Sequence, residues 1–106
     1  MGPIHLQDEV QFATPKFLPR LLYGSERVRV FLLCLEAGQA LPVRADSEQM
    51  LCYLVEGKGR LTIGGQVSEM RAGDFAAAAP GEPRGIEAEE RLVALWIHLG
   101  AGSDDG

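Results

Sequence analysis

The feature that most constrains this chain is its punctuation: short apolar runs, fenced at close and even intervals by glycine and proline. Arg27–Leu35 opens with strict polar/apolar alternation, then becomes apolar on both faces until Gly38 ends it. A period of two is the signature of a strand, in which alternate side chains share a face. Gln49–Val55 is a second such run, closed by Glu56-Gly57-Lys58-Gly59. Arg60–Ile63 and Gln66–Met70 flank Gly64-Gly65, and a glycine pair in that place predicts a two-residue hairpin turn. Ala72-Gly73-Asp74 leads into Phe75–Ala79, Pro80-Gly81-Glu82-Pro83 turns the chain again, and Arg91–Leu99 is a long apolar run holding Trp96. The four alanines from Ala76 to Ala79 have helical propensity, and Ser47–Tyr53 could be forced into one helical turn. The glycine and proline brackets and the β-rich flanks argue for strands in both places. The pattern predicts an all-β sandwich or barrel, with no helix.

A chain of 106 residues is expected to form one domain across 1–106, its core running from about residue 12 to 99. The small, acidic end from Gly100 to Gly106 is expected to fray, and the first eight or so residues to be loose or to add an edge strand. A net charge of −5, with ten scattered lysines and arginines, argues against a nucleic-acid or anionic-membrane surface. No stretch approaches the roughly 20 apolar residues of a membrane-spanning helix. Met1–Leu6 lacks the charged and apolar regions of a signal peptide, so a cytoplasmic location is the expectation. In that compartment Cys34 and Cys52, both within apolar runs, read as buried thiols. A disulfide between them, or a soft-metal pair, is the alternative; zinc would want more sulfurs.

Two runs are apolar on both faces. Phe31, Leu33 and Leu35 alternate with Val28, Val30, Leu32 and Cys34, and Val93, Leu95 and Ile97 alternate with Leu92, Ala94 and Trp96. A small barrel has one interior, so the second apolar face needs a cover, and a homodimer is the simplest one.

Two segments carry a more specific signal. They are Gly38-x5-Arg44-x-Asp46-x3-Met50-x6-Gly57 and Gly73-Asp74-x5-Pro80-Gly81-x-Pro83-Arg84. Their frame resembles the two motifs of the cupin family, small antiparallel barrels also described as jelly rolls or double-stranded β-helices. In that family the first motif reads Gly-x5-His-x-His-x3,4-Glu-x6-Gly, and the second places a histidine after a similar proline-glycine turn. The resemblance runs from about Phe12 to Leu99 and implies two facing sheets with a pocket between them. It also implies dimerisation through such sheets. The departure is at the metal: Arg44, Asp46, Met50 and Arg84 stand where the resemblance would put the ligands. Arginine cannot lose its proton to bind a metal, and a thioether is a poor substitute for imidazole at such a site. No metal or other cofactor is therefore expected. An improvised site from His98, Asp46 and Cys52 is the residual possibility.

Strand spacing sends Arg44 and Asp46 to the pocket face, with Met50, Cys52 and Leu54 on the next strand, Arg84 entering from the second motif, and His98 sharing a face with Trp96. Three readings of the charges stay open. They could bind a small anionic ligand, since arginine forks match carboxylate and phosphate. They could form a self-satisfied Arg44–Asp46–Arg84 cluster, or sit at a solvated mouth. The two structural readings are favoured, because buried charge is costly unless paired. Trp96 reads as core or interface packing, Tyr53 as facing away from the pocket, and Glu89 and Glu90 as a solvated turn. The expected function is a metal-free small-molecule-binding or accessory protein. A metal-independent isomerase, epimerase or lyase using Asp46, Tyr53 or His98 for proton transfer is the alternative. A metal-dependent dioxygenase or isomerase is disfavoured by the missing ligands.

Overall fold

The turns of the sequence become the turns of the fold. The computed structural model describes residues 1–100, in which one short helix, α1 (Leu6–Glu9), precedes nine strands. These are β1 (Arg20–Gly24), β2 (Val28–Leu35), β3 (Ala40–Arg44), β4 (Gln49–Glu56), β5 (Lys58–Ile63), β6 (Gln66–Arg71), β7 (Phe75–Ala78), β8 (Arg84–Ala88) and β9 (Leu92–Leu99). All pair antiparallel, in a five-stranded sheet ordered β1-β2-β9-β4-β7 and a four-stranded sheet ordered β3-β8-β5-β6. The expected all-β jelly roll is the observed fold. Gly64 and Gly65, at φ 59° and 91°, make the β5–β6 hairpin turn with both residues in the left-handed region that two-residue turns demand. The alanine-rich segment is strand β7, its small side chains fitting a sheet edge beside β4.

Three strands lie where the sequence shows no apolar run: β1, β3 and β8. β1 and β3 are edge strands, and β3 carries Pro42. An edge strand needs one side paired and tolerates both proline and polar residues, which is why periodicity misses it. β8 opens on a buried arginine, and Gly85 is required next to it. A Cβ there would meet Leu41 O and Val43 N at 2.7 Å, so β8 lies too close to β3 for any side chain.

The core lies between the sheets. Leu33, Leu35, Leu54, Leu61, Met70, Ile86, Leu92 and Trp96 interdigitate there, joined by Met50 and Cys52, which are both 0% exposed. A second cluster sits on the outer face of the five-stranded sheet, where Leu32, Cys34 and Val93 are buried under Val10, Phe12 and Leu22. This corrects two expectations. Residues 1–5 are exposed and without regular structure, Leu6–Glu9 form one helical turn where no helix was expected, and a strap through Val10 and Phe12 follows. It also gives part of the second apolar face a cover within the chain. Arg91, stacked 4.3 Å from the Phe12 ring and ion-paired to Glu36, anchors the strap. The rest of that face stays open, with Tyr53 at 41% and Phe75 at 63% exposure. Among the described residues no helix is long and apolar enough to cross a membrane. Gly100 donates its N–H to Arg27 O at 2.6 Å; residues 101–106 of the tail expected to fray lie outside the described residues.

Candidate functional site

The site follows from strand phase. On β2 the inward positions run Arg29, Phe31, Leu33, Leu35; on β9, antiparallel and in register, they run His98, Trp96, Ala94, Leu92. One end of the barrel is thus closed by leucines and the other opens among Arg29, Phe31, Trp96 and His98. β3 and β8 bring Leu41 and the directly paired Arg44 and Arg84 to the same end. The result is a cavity of about 250 Å³, whose wall is Phe31, Leu33, Leu41 and Trp96 on the apolar side and Arg29, Arg44, Asp46, Arg84 and His98 on the polar side.

Two loops fix the polar side. Asp46 Oδ1 accepts the backbone N–H of Glu48 at 2.8 Å, a local side-chain-to-backbone turn that sets the chain's entry into β4. Asp46 O accepts the N–H of Gly81 at 2.7 Å, tying the first motif to the Pro80-Gly81 turn of the second. Arg84 then enters at the head of β8 and is 4% exposed. Its Nε donates to Glu82 O at 2.6 Å, and its Nη2 donates to Ala79 O at 2.9 Å and Asp46 O at 3.4 Å. Its Nη1 is buried without a partner. Every acceptor that Arg84 has is a neutral carbonyl.

That observation removes one of the three readings of the charges. Among the described residues, no carboxylate lies within ion-pair distance of Arg84 or Arg44. The self-satisfied Arg44–Asp46–Arg84 cluster does not form, because the Asp46 carboxylate is taken by its own turn. The backbone hydrogen bond from Glu48 is also the main reason that the Asp46 carboxyl is held below its ordinary range, with His98, Arg84 and Arg29 adding smaller pulls. Arg44 and Arg84 are therefore like charges at paired positions of neighbouring strands, Arg44 exposed and Arg84 buried.

Met50 and Cys52, both expected at the pocket, sit in the packed core and are absent from the cavity wall. The β4 strand does point them inward, but the facing sheet closes over them. Burial raises the Cys52 thiol to about 12 and also raises Cys34. Both cysteines are free; they belong to clusters on opposite faces of the sheet, so a bond between them is excluded by the pleat. Trp96 is 2% exposed and serves both core and cavity wall. Tyr53 lies on the outer face, its backbone position paired with Leu95 and Phe75, and Glu89 is paired to Arg60 at 3.0 Å, away from the cavity.

Sequence reasoning missed Arg29 and Glu48. Glu48 is ion-paired to Arg29, and its Oε1 lies 3.3 Å from His98 Nδ1, without hydrogen-bond geometry. The signal for Arg29 was present in the alternation Arg29-Phe31-Leu33, which places an arginine in line with core residues. His98 packs edge-on against Phe31, ring centres 5.7 Å apart. Burial first, and Arg29 second, hold its pKa below the ordinary value, so the ring is neutral at pH 7.

The metal-ligand positions implied by the resemblance do not fit a metal. Two are guanidiniums, one of them buried and committed to carbonyls, and Met50 is sealed in the core. A different trio does converge: one ligand atom each from Asp46, Glu48 and His98, all within 4.8 Å of one another. Cys52 is not part of it. Glu48 already holds the Arg29 guanidinium, so a cation there would have to displace a fixed positive charge.

A sequence-family profile described as the Cupin domain matches residues 31–98. No curated protein matches the sequence. Among solved structures, a Thermus thermophilus protein is 23% identical with a TM-score of 0.89, over 94% of this chain and 98% of that one. An RmlC-like cupin from Desulfovibrio desulfuricans is 24% identical with a TM-score of 0.84, over 93% of this chain and 96% of that one. A DMSP lyase from Ruegeria pomeroyi is 17% identical with a TM-score of 0.72, over 85% of this chain and half of the lyase, which is 50% covered. At these identities the likeness is one of fold.

Proposed function

The chain belongs to the cupin family, and from that premise we propose that it is a binding protein for a small organic anion, held in the open end of the barrel without a metal at the family's motif positions. The observation that carries this reading is Arg84, a cavity-lining residue 4% exposed whose guanidinium is bonded only to carbonyls and has no counter-charge. A buried cation without a counter-charge is costly, and an anion bridging it to Arg44 removes that cost. The protein would work in a cytoplasm, where Cys34 and Cys52 stay thiols.

The test is calorimetric titration with a panel of small anions, repeated on Arg84→Gln. Binding that falls about tenfold or more in the variant supports the reading, since hydrogen bonds to charged groups are worth roughly 1.5–3 kcal/mol. A panel without a single ligand would sink it. Elemental analysis of protein purified without chelators checks the other half: stoichiometric iron, manganese, nickel or zinc would overturn the metal-free site.

A second reading, a metal-independent isomerase, epimerase or lyase, is favoured by His98. Its Nδ1 is buried against Glu48 while the ring lines the cavity, and a neutral imidazole beside a carboxylate is suited to take a proton. Exchange of a ligand C–H for deuterium, abolished in His98→Gln with binding retained, distinguishes catalysis from binding alone. The open part of the outer face, around Tyr53 and Phe75, supports a homodimer as the resting state. Light scattering after size exclusion checks it, with a dimer expected and a clean monomer refuting it.

A further inference from the structure

Building on the anion reading, we infer that the ligand is a monocarboxylic acid with a compact hydrocarbon body on the order of ten non-hydrogen atoms, aryl or branched alkyl, rather than a phosphate, a dicarboxylate or a sugar acid. Three features of the cavity select this class independently.

Charge selects a single negative charge. The guanidiniums of Arg29, Arg44 and Arg84 stand against the carboxylates of Asp46 and Glu48, with a neutral His98 between them. Arg29 and Glu48 neutralise each other. Asp46 offsets one of the two remaining cations, so one positive charge is left for the ligand. A dianion would overshoot, placing its second charge near Asp46.

Hydrogen bonding selects a carboxylate over a phosphate. Arg84 has spent Nε and Nη2 on backbone carbonyls and its Nη1 is buried, so it offers the ligand its charge and not a fork. Arg44 faces it across the β3–β8 pair. The Arg44 fork matches the two oxygens of one carboxylate, on the side of the cavity that the Arg84 charge lines. A phosphate carries further oxygens and a second charge, and apart from Arg29, already paired to Glu48, and His98, the wall offers them Pro19, Pro42, hydrocarbon and the Asp46 carboxylate.

The wall and the volume select the body. Phe31, Leu33, Leu41 and Trp96 present hydrocarbon and ring faces, against which a ligand hydroxyl would lose its water without finding a partner. A cavity of about 250 Å³ offers space equal to roughly eight waters at about 30 Å³ each. The part of a ligand held inside is therefore small, and a longer molecule would project through the open mouth. The ligand's ring or branched chain lies along Trp96 and Phe31, with its carboxylate at the Arg44–Arg84 pair.

The experiment is calorimetric titration of the whole chain with benzoate, phenylacetate and 4-methylpentanoate, set against acetate, succinate, inorganic phosphate and the neutral isostere benzamide. One or more of the hydrocarbon monocarboxylates is expected to bind at least tenfold tighter than acetate, succinate, phosphate and benzamide. The affinity is expected to fall about tenfold in Arg84→Gln and less in Arg44→Gln, whose exposed side chain makes its removal harmless to folding. Leu41→Asn, in the wall, is expected to erase the preference over acetate. Tighter binding of phosphate or succinate, lost in the same arginine variants, would leave the anion reading standing and overturn the ligand class. Benzamide binding as well as benzoate would overturn the charge match. If none of the anions bind, both readings fall together.

Discussion

The two ends of the barrel are made by the same strands and behave as opposites. Toward one end, β2 and β9 meet through Leu35 and Leu92, both 0% exposed, and the space between the sheets is filled by Leu54, Leu61 and Met70. Toward the other, the same pair ends on Arg29 and His98, and the sheets leave a cavity lined by an arginine without a counter-charge. Close packing at the first end contributes stability through dispersion and the hydrophobic effect. At the second, a void and an uncompensated charge both cost stability, and a ligand can offset both. The difference teaches where to look for each property: stability in the leucine end, and the proposed anion binding in the arginine end.

Truncating the closed end should have the largest effect. Leu35→Ala removes a fully buried side chain and is expected to cost about 3 kcal/mol. For a domain of this size that lowers Tm by on the order of 15 °C, readable by calorimetry. The folded fraction should bind its ligand unchanged. A comparable loss of affinity would show that the two ends are mechanically coupled and break the comparison.

Arg84→Met comes next. It should abolish anion-induced stabilisation, while costing about 1–2 kcal/mol because carbonyls of Glu82 and Ala79 lose their donor. Chemical denaturation of the ligand-free protein measures this; a loss as large as that of Leu35→Ala would make Arg84 a structural keystone. Arg44→Gln sharpens the point from the rim. With an exposed side chain and no ion pair, it should leave stability within about 0.5 kcal/mol and weaken binding less than Arg84→Met does.

How far the sequence reveals each end also differs. The closed end is legible, because leucines at period two announce an inward face and glycine pairs announce the turns. The cavity end is only half legible. Motif spacing brings Arg44, Asp46 and Arg84 together, and strand phase adds His98. Yet spacing cannot say that the Asp46 carboxylate bonds to its own turn and not to an arginine, which leaves Arg84 with carbonyl partners alone. Nor can it say that Met50 and Cys52 point inward at a place where the sheets touch and not where they part. Whether an inward residue meets core or cavity depends on the spacing between sheets, which is a tertiary quantity. Arg29 was visible in the alternation but had no motif to mark it. The strap over Leu32 and Val93 has no periodicity at all.

The smallest effect is the pH dependence of the open end, and its sign discriminates well. His98 is held below its ordinary pKa by burial and by Arg29, against the opposing pull of Glu48 and Asp46 and with Arg84 adding to the depression. The unfolded chain therefore binds the proton more readily than the folded one, and stability contributed by neutral His98 is lost as pH falls below about 6.5 toward the lowered folded value. A bound carboxylate adds a negative charge beside the ring, so it raises that pKa and must, by linkage, bind more tightly as the pH falls through the same window. Apo stability and ligand affinity should thus move in opposite directions between about pH 7 and pH 5. His98→Phe should flatten both curves while leaving the alkaline values near those of the parent. Curves that fall together, or that persist in His98→Phe, would assign the pH response to another group and remove His98 from the ligand's surroundings.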